Sequence, residues 1–129
     1  MTKRLKKSFS AILLVICALS FCAQATNSDV FASKTFVASE ANLVSISSTL
    51  YLDFYVRTNT SNNQLGISRI DLYDITTGSN TAYAGPKKSG VIYDDRVAIP
   101  ATRGHRYYAN VTFYADGYTK QVKTNILTF

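Results

Sequence analysis

From Leu50 to Arg57 the chain alternates without a break. Leu50, Leu52, Phe54 and Val56 are apolar; Tyr51, Asp53, Tyr55 and Arg57 between them carry polar groups. Successive side chains of an extended strand point to opposite faces, so this run forms a strand with one face to bury. That face needs a second layer to cover it. A period of two persists almost everywhere after Lys34, and no window places apolar residues at i, i+3, i+4 and i+7. The pattern excludes an amphipathic helix there and leaves an all-β, antiparallel domain.

The remaining segments follow the same logic. Residues 43–46 read as a strand, with a tight bend at Ser47 and Ser48. The polar stretch 59–64 reads as a loop. Ile70 and Leu72 point inward on the next strand, with Arg69, Asp71 and Tyr73 outward; residues 76–80 have the composition of a turn. Residues 81–84 make a short edge strand, and the stretch Gly85-Pro86-Lys87-Lys88-Ser89-Gly90 breaks it. Lys and Pro there suit an edge that must resist pairing. Val97 and Ile99 turn inward from a strand over 95–99. The last two strands, 105–115 and 118–129, meet at Asp116-Gly117, a favoured hairpin pair. Seven short strands at regular spacing imply a β-sandwich, with Leu52, Phe54, Leu72, Val97, Val111 and Phe113 in its core.

One stretch is more specific. Ile99-Pro100-Ala101-Thr102-Arg103-Gly104-His105-Arg106-Tyr107-Tyr108-Ala109-Asn110-Val111 ends one strand, turns through Pro and Gly, and begins another with Tyr, Ala and Val on alternate positions. It resembles the E–F corner of immunoglobulin-like and fibronectin type III sandwiches, in which a Tyr early in strand F hydrogen-bonds back to the corner backbone. Tyr107 stands where that structural tyrosine would fall, with 100–103 as the segment it would reach. The resemblance runs from Leu43 to Phe129. The absence of Trp, and of any Cys after Cys22, favours the fibronectin-like branch over antibody domains. The chain is also similar to small exported Gram-positive bacterial proteins of unknown function. The resemblance implies an immunoglobulin-like, fibronectin type III-like seven-strand antiparallel β-sandwich and no activity.

The first 25 residues carry a different message. Lys3, Arg4, Lys6 and Lys7 precede an apolar run from Phe9 to Leu19, and Ala23-Gln24-Ala25 closes the segment. A basic start, an apolar middle and small residues at the end make a secretory signal peptide, cleaved after Ala25. The run falls short of the about 20 residues a spanning helix needs, and no second apolar segment follows, so no membrane span is expected in the mature chain. Phe21 stands where a lipoprotein signal wants a small residue before Cys22. Residues 26–33 are a polar, flexible leader, and 34–129 are the β-sandwich domain.

Cleavage removes four of the fourteen basic residues and none of the eight acidic ones, which lowers the net charge from +6 to +2. The basic character belongs mostly to the export signal, so no nucleic acid partner is implied. Both Cys residues also leave with the signal. A Cys-free exported domain fits a Gram-positive bacterium, and the two Asn-x-Ser/Thr matches at Asn59 and Asn110 are then coincidental.

No catalytic, cofactor or metal residues are assigned. His105 is the one His, and with no second ligand of its kind it reads as a solvated loop residue. Asp74, Asp94, Asp95 and Asp116 match no Ca²⁺ loop and read as turn residues. Asp94 and Asp95, adjacent on a strand, point to opposite faces and cannot flank one glycosidic bond without a bulge. The outward positions are more informative. Tyr108, Asn110, Thr112 and Tyr114 share one face, and strand pairing would bring Tyr73 beside them. Tyr73, Tyr108 and Tyr114, with Arg69 at the margin, form the candidate binding face, suited to a protein, a cell-wall glycan or a second copy. The leading expectation is an exported non-catalytic binding or structural module at the cell surface or in the medium. A secreted bacteriocin-like effector is the alternative, and a small hydrolase ranks third for want of a nucleophile–base pair.

Overall fold

The computed structural model describes residues 35–129. Residues 1–25, read as a signal peptide, residues 26–33, read as a leader, and Lys34 lie outside the described residues. Within them the chain forms seven strands and no helix: β1 (Phe36–Ile46), β2 (Thr49–Asp74), β3 (Ser79–Tyr83), β4 (Lys87–Ile99), β5 (Arg106–Ala115), β6 (Tyr118–Lys123) and β7 (Leu127–Thr128). All pairings are antiparallel.

β2 organises the rest. Its first half pairs with β1 on one side and most of β4 on the other; its second half pairs with β3, β5 and the first residues of β4, and β6 and β7 follow on β5. One strand shared by two sets of neighbours makes the sheet curl, and its two halves meet face to face. The rings of Phe54, from the first half, and Phe113, on β5, lie 6.4 Å apart. Leu43, Leu50, Leu52 and Val56 are buried against Leu65, Ile67, Ile70, Val111 and Phe113. The alternation at 50–57 thus does what its period requires: one face is core, the other is not. Val97 is only partly buried.

A side chain links the two margins of the curled sheet. The Asn125 carboxamide accepts a hydrogen bond from the Leu43 N–H (2.8 Å) and donates one to the Leu43 carbonyl (3.2 Å). It imitates a backbone bridge where the two strands do not pair directly. This is possible because the last strand is interrupted: 124–126 lie outside β6 and β7, where a single strand over 118–129 was expected. There the Thr124 hydroxyl accepts from the Ala109 N–H (2.8 Å) in place of a backbone group.

Three other boundaries differ from the sequence expectation. The polar stretch 59–64 is not a loop but the bulged middle of β2. Its polar groups are used inside the strand: Asn62, 3% exposed, donates to the Thr58 hydroxyl (2.7 Å) and the Gly90 carbonyl (3.1 Å). The break expected over 85–90 is shorter: 84–86 separate β3 from β4, and Lys87 and Lys88 already pair with Gly66 and Leu65. The two chains approach so closely there that a Cβ on Gly66 would overlap the Pro86 carbonyl. β1 likewise begins at Phe36 rather than Leu43.

The bend at Ser47 and Ser48 is a two-residue turn with both φ angles positive, 47° and 69°. Asp116 and Gly117 repeat that conformation at the β5–β6 hairpin, with φ of 45° and 95°. This mirror-image turn matches the twist of its flanking strands.

Candidate binding face

Burial on β5 fixes the outward positions. Tyr107, Ala109, Val111, Phe113 and Ala115 are buried, so Tyr108, Asn110, Thr112 and Tyr114 point away from the core. Register then assembles the face row by row: Tyr73 opposite Tyr108; Asp71, Asn110 and Lys123; Arg69, Thr112 and Gln121. The rings of Tyr73 and Tyr108 are stacked, 4.8 Å apart and within 7° of parallel. The Lys123 ammonium lies 4.5 Å from the Tyr108 centroid. Two groups that close to one ring must take opposite faces, so Tyr108 keeps its edge and hydroxyl for a partner.

Two expectations are corrected. Tyr114 is on the same face but outside the Tyr73–Tyr108 cluster. It sits six residues further along β5, about 20 Å away in an extended strand, with the Lys87 ammonium 4.3 Å from its ring. Arg69 is not a free fork: its Nε donates to Asp71 Oδ1 at 2.8 Å. Its side chain is still 61% exposed, so the guanidinium is anchored at one point and open at its remaining nitrogens.

Tyr107, on the opposite parity, is buried, and its hydroxyl accepts the Thr102 N–H at 2.7 Å. It stabilises the β4–β5 corner and presents nothing to solvent.

The structure also pairs two residues that local sequence does not connect. His105 Nδ1 lies 2.7 Å from Asp74 Oδ2, across 31 residues. His105 is therefore not the solvated loop residue expected. Burial works to raise the Asp74 pKa. The hydrogen bonds from His105 and from the Thr77 backbone and hydroxyl, with the charge of His105, outweigh it and hold the carboxyl below its usual range. Beside the pair is an open hollow of about 340 Å³ bounded by Leu72, Thr81, Tyr83, Pro100 and Tyr107. The pair matches the base and orienting acid of a hydrolytic triad, but among the described residues no hydroxyl is bonded to the far nitrogen of His105. Only the fold connects them: Asp74 closes β2 opposite Tyr107, and His105 lies just before β5.

The outer face of the other half has opposite character. Asn42, Asp53 and Arg96 form one row, and Glu40, Tyr55 and Asp94 the next. Arg96 grips the Asp53 carboxylate with two nitrogens, the second bond measuring 2.9 Å, and its guanidinium lies 5.3 Å from the Tyr51 ring. An open hollow of about 560 Å³ takes in Glu40, Asp53, Asp94, Asp95 and Arg96. Sequence pattern alone set Asp94 only against Asp95; strand register brings Glu40 onto the Asp94 side, while Asp95, opposite Phe54, has the other parity. Among the described residues no set of three His, Cys, Asp or Glu side chains is placed to hold a metal, and no helix is long and apolar enough to cross a membrane.

Against protein-family models, curated proteins and solved structures, the chain gives no match.

Proposed function

We propose that the protein is an exported, non-catalytic binding module that acts at the cell surface or in the medium through the outer face around Tyr73 and Tyr108. The observation that carries this reading is the Lys123–Tyr108–Tyr73 stack beside the anchored Arg69. Both rings are half-buried and held by neighbours, so they lose little entropy on contact with a partner. Because both faces of the Tyr108 ring and one face of Tyr73 are occupied, recognition falls chiefly to the hydroxyls, to the Asn110 and Gln121 amides, and to Arg69. Tyr with adaptable polar neighbours suits a protein surface better than sugar stacking.

Two further observations support a fibronectin type III-like architecture for the module. The strands group as β1, β2 and β4 in one half and as β3, β2, β5 and β6 in the other. In immunoglobulin-like sandwiches strands A, B and E share one sheet and C, F and G the other. The Tyr107–Thr102 bond has the form of the corner tyrosine. Export rests on the charged, apolar and small-residue segments of 1–25.

A photocrosslinking residue tests the face. Placed at Gln121 and irradiated in culture of the producing cells, it should give a discrete protein adduct. At Thr60, away from the face, it should give none. Equal labelling at both positions, or none at either, sinks the proposal.

A further inference from the structure

We infer that the partner of this face is a second copy of the chain, and that the Arg69, Lys87 and Lys123 face of one copy docks on the acidic hollow of the next. The inference rests on the binding-face reading above and names its occupant.

The two outer faces are complementary in sign. One carries Arg69, Lys87 and Lys123 against a single carboxylate, Asp71. The hollow on the other gathers Glu40, Asp53 and Asp94 against a single cation, Arg96. Arg57 lies one row beyond it. The charges that matter are uncommitted. Lys87 and Lys123 rest on tyrosine rings rather than on carboxylates, and Glu40 and Asp94 make no ion pair among the described residues. The inner sides of the two halves face each other across the core, so the outer faces point in opposite directions. A contact between unlike faces that point apart is heterologous and does not close on a two-fold axis; it propagates into short stacks. Exposed charge pairs each contribute little and are screened by salt, so the association is weak and strongest in dilute buffer.

Sedimentation velocity on purified protein tests this, from micromolar to millimolar concentration. In dilute buffer the average mass should climb past that of a dimer, and strong salt should return it to the monomer. Lys87→Glu/Lys123→Glu, with two acidic faces, and Glu40→Lys/Asp94→Lys, with two basic ones, should each stay monomeric. An equimolar mixture of the two should associate again. If a charge reversal fails to fold, Lys87→Gln/Lys123→Gln replaces it and should weaken wild-type stacking. A wild type monomeric under all conditions, association that ignores salt, a limit at the dimer, or a mixture that stays monomeric overturns the inference. A monomeric wild type that still gives a Gln121 adduct with another protein overturns only this inference and leaves the binding face standing.

Discussion

At Tyr107 one phenolic oxygen closes the turn between β4 and β5 by accepting the Thr102 N–H. Tyr107→Phe leaves that donor unpaired in a partly buried corner and should cost about 1–3 kcal/mol in urea denaturation. Tyr108→Phe keeps its stack on Tyr73 and should cost almost nothing. If Tyr108 proves the sensitive residue, the outward assignments along β5 are wrong by one position. Asp74 makes a separate prediction. Its folded pKa is lowered, so the stability it contributes is full above the ordinary value of 3.8 and is lost as pH falls through the folded value. Between about pH 5 and pH 3 the wild type should lose more stability than Asp74→Asn. Parallel pH profiles for the two proteins would remove Asp74 from the account.

Among the elements, the β1–β2 hairpin is the easiest to improve. Ser47 and Ser48 hold positive φ without the residues that favour it. Ser47→Asn/Ser48→Gly should raise stability by about 1 kcal/mol, read as a higher urea midpoint at unchanged slope. Asn125→Ala removes both bonds to Leu43 and should cost about 1–3 kcal/mol, with faster hydrogen exchange at the Leu43 amide. Unchanged exchange there would show that the margin is held by other contacts. These two elements also mark what the sequence reveals and what it hides. Alternation at 50–57 and 107–113 announces strands and their inner faces, because burial on one side leaves a period-two record. The same rule misreads 59–64, since Asn62 and Thr58 bond within the bulged strand and polarity there does not signal solvent. Gly66 looks unremarkable until Pro86, twenty residues away, is packed against it. Asn125 and His105 act on partners far along the chain, so no local pattern could name them.

For the whole molecule, the core holds the two halves together while leaving both outer faces free to differ, one aromatic and cationic, the other acidic. Stability and recognition therefore draw on different residues, and this separation is the central claim. Removing only the hydroxyls of Tyr73 and Tyr108 tests it most directly, because the stack and the core stay intact. The double variant Tyr73→Phe/Tyr108→Phe should melt within about 3 °C of the wild type and should lose the adduct formed from Gln121. An adduct of undiminished yield, or a collapse of the melting temperature, would contradict the account.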